Sequence, residues 1–281
     1  MSIKPQTTSK DFHLRDVDAS PAIDSGGEAR HVALIGGIVT SLATRLELAH
    51  IMLSDVFRLR AGSLDRPRVI TASNGFVVAQ YHRCPAFRAM IDKADLIDAD
   101  GMSLVFASRL FLRHPLRERT ATTDFIEDAC RTATEHGIKF YFLGAKQGVA
   151  DRAADRLKAQ FPGLSIVGTR NGYFTDDELD GIAADIAATG AEVVWLGLGS
   201  PRQEDVAYRL RDRLTGVAWI RTCGGLFDHC SGAVPRAPKL VQRLGLEWLH
   251  RVIIEPSRLG RRYVVTNPIA AYHLLTKTRD I

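Results

Sequence analysis

Along this chain, short apolar runs alternate with stretches whose apolar residues recur at helical spacing. "HVALIGGI" (31–38), "RVITAS" (68–73), "ADLIDAD" (94–100), "KFYFLG" (139–144), "LSIVGT" (164–169), "EVVWLGLG" (192–199) and "VAWIRTC" (217–223) read as strands. These are near-continuous apolar blocks rather than in–out alternations, the pattern of strands buried on both faces. Segments such as "VADRAADRLKAQF" and "DELDGIAADIAA" lie between them with a period near 3.6. Gly137 and Gly190 close two helices, and Thr122 or Thr123 caps the helix that begins at Asp124. The alternation predicts an α/β fold, a doubly wound Rossmann-like and mostly parallel sheet covered by helices.

Three regions follow. Residues 1–28 mix Ser, Thr, Asp, Gly and Lys without an apolar period and read as a mobile tail. Residues 29–235 carry the strand–helix alternation. Residues 236–281 add no strand to it and read as a helical C-terminal appendage of two or three helices, broken at Pro256 and Pro268.

Hydrophobic content of 46% and charged content of 25% fit a globular chain with a sizeable core. No run reaches the ~18 apolar residues of a membrane span and the N-terminus has no signal-peptide core, so a cytoplasmic location is expected. Four cysteines are scattered without CxxC spacing and read as reduced thiols. Cys223, His229 and Cys230 lack a fourth ligand at zinc-motif spacing, and no metal is expected. The net charge of +5 suits anionic small molecules, lipid head groups or nucleic acid alike. Its distribution is more informative. Between Arg236 and Arg262 stand seven Lys/Arg against two acids, an excess equal to that of the whole chain.

Ligands of open parallel sheets bind beyond the carboxyl ends of the strands. "TASNG" (71–75) places Thr71, Ser73 and Asn74 at such an end, as a helix cap or as ligand contacts. Asp100 in "DADG" is turn chemistry or a general base. "FLGAKQG" (142–148) turns backbone amides toward an anion beside Lys146, but Val149 after its second glycine excludes a P-loop. "LGLGSPRQE" (196–204) is the stronger anion candidate. Gly197 and Gly199 admit close backbone approach, Pro201 suits a first helical turn, and Arg202 and Gln203 flank a helix N-terminus. Arg202 also stands where a dinucleotide fingerprint needs Gly or Ala, which weakens a nicotinamide-dependent oxidoreductase reading. Asp228 in "CGGLFDHCSG" is a cap or an acceptor for a ribose or base edge.

Taken together, "ADLIDADGM", "RTATTDF", "FLGAKQGVA", "PGLSIVGTRNGYF", "LGLGSPRQE", "GGLFD" and "RAPKLVQRLGLEWLHRVIIEPSRLGRRY" make the chain similar, from about Val69 to about Pro268, to the WecG/TagA/CpsF family of bacterial glycosyltransferases. The resemblance implies inverting transfer of a sugar from a UDP-sugar to a polyprenyl-diphosphate-linked saccharide, without a metal. The sugars it implies are N-acetylmannosamine, N-acetylmannosaminuronic acid or glucose, used for exopolysaccharide or another envelope glycan. It further implies that the C-terminal segment covers the active site and touches the inner face of the membrane. By position, Asp100 matches the family's base and Asn74 its pocket asparagine, with Ala72 where the family has threonine and either Thr71 or Ser73 left to supply the hydroxyl. Tyr173, Gln203 and Asp228 match positions around uridine and diphosphate, and Arg251, Arg258 and Arg261 match appendage arginines that meet diphosphate. With Gly199 and Arg202 these form the expected donor site. The expected partners are the UDP-sugar, the lipid-linked acceptor and the membrane surface, not nucleic acid, and self-association is left open. The competing classes are the oxidoreductase and a non-catalytic basic binding module.

Overall fold

The computed structural model describes residues 32–254 and 256–281, with the side chains at 239, 243, 251, 257 and 258 outside that description. The segment 1–28, and the side chains of Arg251 and Arg258, therefore lie outside the described residues. In chain order come β1 (Val32–Ile35), β2 (Ile38–Ser41), α1 (Arg45–Arg60), β3 (Arg68–Ser73), α2 (Gly75–Arg83), α3 (Pro85–Ile91), β4 (Leu96–Ala99) and α4 (Met102–Phe111). Then follow α5 (Thr122–His136), β5 (Lys139–Gly144), α6 (Val149–Gln160), β6 (Ser165–Arg170), α7 (Leu179–Thr189), β7 (Val193–Gly197), α8 (Arg202–Arg211), β8 (Trp219–Thr222) and α9 (Leu226–Cys230). The C-terminal part holds α10 (Lys239–Arg243), α11 (Glu247–Ile254), α12 (Pro256–Thr276) and β9 (Arg279–Asp280).

Six strands form a wholly parallel sheet in the order β4-β3-β8-β7-β5-β6. Alternate residues feed two cores. Phe140, Phe142, Val193 and Trp195 pack with Leu48, Met52 and Phe125 on one face. Tyr141, Leu143, Val194 and Leu196 pack with Ile182, Ile186 and Leu210 on the other. Burial on both faces explains the continuous apolar strands. Helix ends follow local chemistry. Thr44 and Glu47 form a capping box on α1, and Gly137 and Gly190 end α5 and α7 in the left-handed conformation.

Three expectations need correction. The run 31–38 is not one strand but the hairpin β1–β2, because Gly36 and Gly37 take positive φ and turn the chain between two buried isoleucines. Neither Thr122 nor Thr123 caps α5; the cap is Ala121, and the Thr122 hydroxyl is used elsewhere. Pro268 does not break the last helix but sits within α12. Its lost hydrogen bond costs about 3 kcal/mol, which burial of Leu259, Thr266, Ala270 and Leu274 along that helix offsets.

The C-terminal segment is built into the fold. Ala270 and Leu274 share a core with Ile35, Ile38, Val77 and Val78, so α12 packs on α2. β9 pairs antiparallel with β1, giving a second sheet in the order β2-β1-β9. Gly245, at φ +73, separates α10 from α11. No described helix is long and apolar enough to cross a membrane.

Candidate active site

Five strand ends open into one cleft of about 1100 Å³. Asn74 follows β3, Asp100 follows β4, Lys146 follows β5, Gly199 and Ser200 follow β7, and Gly224 follows β8. The opposite wall comes from α11 and α12, through Trp248, Arg262, Tyr263 and Asn267. The strand ends converge because glycine stands where a Cβ has no room. A Cβ on Gly144 would lie 2.3 Å from the Gly197 carbonyl oxygen, and one on Gly197 would lie 2.9 Å from that of Gly224.

Asp100 is half-buried at the end of β4, and its N–H donates to the Ser73 carbonyl at 2.8 Å, tying together the ends of β3 and β4. Burial raises its carboxyl pKa, the nearby Asp98 raises it further, and Arg119 and Arg221 offset this only in part; the result is about 7. A carboxyl group there is divided between acid and base forms at neutral pH. Thr122 Oγ1 donates to Asp100 Oδ2 at 3.5 Å.

Beneath this group lies an ion pair. Arg221 of β8 reaches across β3 and binds Asp98 of β4 through two bonds of 2.7 and 2.8 Å, with side chains 0% and 1% exposed. A third Arg221 bond, again from Nη2, reaches Thr122 Oγ1 at 3.2 Å. Asp98→Ala leaves the guanidinium unpaired in a dry core and is expected to cost about 3–5 kcal/mol in urea unfolding. The apolar double replacement Asp98→Leu with Arg221→Met should recover most of that loss; a single variant as stable as the parent would contradict the burial argument.

Cations and carboxylates alternate nearby. Arg119 donates to Glu247 at 2.7 Å and to Asp124 at 3.3 Å, while Arg236 donates to Asp124 at 2.6 Å. Glu247 belongs to α11, so this group ties the C-terminal helices to the sheet end that carries Asp100.

The residues expected at the site divide clearly. Asn74 lines the cleft and is also the α2 cap, its Oδ1 accepting from the N–H groups of Phe76 and Val77. Its Nδ2 is the group it has left to offer a ligand. Thr71 and Ser73 do not line the cleft. Both are buried, and Thr71 Oγ1 accepts from Thr222 Oγ1 at 2.9 Å. Ala72 and Thr222 line the cleft instead. Gly199, Gln203, Asp228 and Tyr173 all line the cleft, Tyr173 with 71% of its surface exposed. Gln203 braces two strand ends: its Oε1 accepts from the Gly224 N–H, and its Nε2 donates to Ser200 Oγ and Glu204. Glu204 is buried below that bend, its carboxyl pushed up by burial. Arg202 turns away, donating to the Phe174 carbonyl and lying over the Phe174 ring. Arg261 is exposed and outside the cleft lining, whereas its neighbour Arg262 lines the cleft and stacks 3.5 Å above the Phe76 ring. Sequence reasoning took Thr122 only as a helix cap and passed over Arg119 and the Asp98–Arg221 pair. The available signal was a charged residue inside each of two apolar runs, "ADLIDAD" and "VAWIRTC".

A parallel sheet whose strand ends open on one polar cleft, with an acid–base group at its rim, is the layout of an α/β enzyme. Residues 44–280 match the Glycosyl transferase WecG/TagA/CpsF family, and the protein belongs to that family. It is thus a glycosyltransferase of cell-envelope polysaccharide biosynthesis.

Proposed function

We propose that the protein transfers a hexose-type sugar, with inversion, from a UDP-sugar to a polyprenyl-diphosphate-linked saccharide at the inner face of the membrane. The observation that carries this reading is Asp100, a carboxyl group in the cleft whose pKa burial raises to about 7. Inverting transfer needs one group to take the proton of the attacking hydroxyl, and such a base works best near the operating pH. The departing UDP needs positive charge. Arg119, Lys146 and Arg262 line the same cleft, and the α8 N-terminus beside Gly199 and Ser200 favours an anion. In this reading residues 29–235 hold the nucleotide, and 236–281 cover the site and meet the lipid. Arg251, Arg258 and Arg261 are kept as candidate contacts for diphosphate. A panel of UDP-sugars against a polyprenyl-diphosphate-linked saccharide tests the reaction, with UDP release as the readout. Thermal shift with UDP and with NAD separates this reading from an oxidoreductase, since a bound ligand stabilises the fold.

Membrane contact is supported by the C-terminal surface. Leu240 and Ile253 are 67% and 72% exposed, and Leu244, Leu249 and Ile254 are exposed too, all in the most basic part of the chain. Exposed apolar side chains in a basic segment suit an anionic bilayer surface. Leu240→Ser combined with Ile253→Ser should lower partition onto vesicles containing phosphatidylglycerol about tenfold and leave UDP binding unchanged. Unchanged partition would remove this surface from membrane contact.

A further inference from the structure

The Asp98–Arg221 pair has no evident purpose as a stabiliser. Burying two charges costs several kcal/mol per ion, and apolar residues of similar volume do as well or better. Yet both members are fully buried, and Asp98 is two residues from Asp100 on the same strand edge. The pair is joined to Asp100 through a single side chain, Thr122, the first residue of α5.

The direction of that connection is set by chemistry. A threonine hydroxyl has one hydrogen to donate and lone pairs to accept with. Arg221 only donates, and the bidentate grip of Asp98 holds its Nη2 where it meets Thr122 Oγ1 at 3.2 Å. The hydroxyl therefore accepts on that side, and its hydrogen is left for Asp100 Oδ2 at 3.5 Å. This contact is long, as catalytic hydrogen bonds often are before substrate closes a site. A donor aimed at Oδ2 favours the ionised carboxylate and leaves Oδ1 for the substrate.

We propose that Thr122, oriented by the buried Asp98–Arg221 pair, is a positioning residue that holds Oδ2 of Asp100 so that Oδ1 faces the attacking hydroxyl. The proposal rests on Asp100 being the base. In the transfer step the acceptor hydroxyl gives its proton to Oδ1 as its oxygen bonds to the anomeric carbon. The bond from that carbon to the phosphate oxygen breaks, and its electron pair leaves with UDP. Throughout, Thr122 keeps its own proton and Arg221 stays charged. Asp98 is the counter-ion that allows a guanidinium to be buried there without reaching Asp100 itself.

The test is a titration that needs no substrate. In the full chain carrying ¹³C-labelled aspartate, the Asp100 carboxyl signal is identified by its loss in Asp100→Asn and followed with pH. Thr122→Val removes the donor while keeping the shape, and should move the midpoint upward by about one pH unit. Thr122→Ser keeps the hydroxyl and should return it to the parent value. Thr122→Ala makes the same prediction as the valine variant and serves if valine disturbs folding. A midpoint unmoved in both valine and alanine variants, beside an inactive Asp100→Asn, overturns the positioning role and leaves the base intact. Full turnover by Asp100→Asn overturns the base, and the proposal with it.

Discussion

Replacing Asp100 by asparagine is expected to lower turnover about 10²–10⁴-fold while leaving UDP affinity close to that of the parent. Asparagine keeps the shape and hydrogen-bonding reach of the side chain but cannot take a proton from an attacking hydroxyl. In the parent enzyme turnover should rise with pH through about 7, because the base form is the ionised one, and this limb should vanish in the variant. Stability is expected to change in the opposite sense. The carboxyl pKa is higher in the folded chain than in the unfolded one, so folding favours the protonated form. The parent is then most stable below the ordinary carboxylate range and loses stability as pH rises toward 7, levelling off above it. Asp100→Asn escapes that loss and should unfold about 2–4 kcal/mol harder than the parent at pH 8, with the difference fading near pH 4. Thermal and urea melts at the two pH values, set beside UDP-release rates, check both halves. A variant that turns over at the parent rate would take the base role from Asp100.

Ending the chain after Pro235 is expected to abolish folding rather than remove a detachable cover. The shortened chain loses Leu259, Ala270 and Leu274 from the interior, together with the third strand of the β2-β1-β9 sheet. Each large buried apolar side chain contributes about 1.5–3 kcal/mol, against a typical net stability of about 5–15 kcal/mol. The same cut exposes Ile35, Ile38 and Val78, which α12 covers. The expected result is an aggregated product without a cooperative melt. Leu274→Ala, which removes one of these contacts, should cost about 2–5 kcal/mol and keep the melt cooperative. A soluble shortened chain with a sharp unfolding transition would show that α12 and β9 are dispensable for the fold.

Much of the sheet could be read from the sequence because its strands are buried on both faces. The run 139–144 coincides with β5, and those at 164–169 and 192–199 differ from β6 and β7 only at their ends. The hairpin was misread for a definite reason. Gly36-Gly37 between apolar residues is itself a turn signal, but an unbroken apolar context hid it. The candidate site was legible where chemistry follows a strand directly, as at Asn74, Asp100 and Gly199. It was not legible where partners are distant along the chain. Arg221 and Asp98 are 123 residues apart, and only the strand order β4-β3-β8 brings them to one place. Alternation along β3 also shows in the site: Ala72 and Asn74 line the cleft, while Thr71 and Ser73 are buried.

The pairing of β9 with β1 bears on how the molecule is made. The Gly36 N–H is bonded to Thr278 Oγ1, 242 residues further along. During translation, the β1–β2 hairpin must wait for α12 and β9 before its own interior is sealed. A nascent chain halted anywhere before α12 has neither the wall that carries Arg262 and Asn267 nor the cover over Ile35 and Val78. Interrupted synthesis should therefore yield a target for chaperones and proteases, never a fragment able to transfer a sugar.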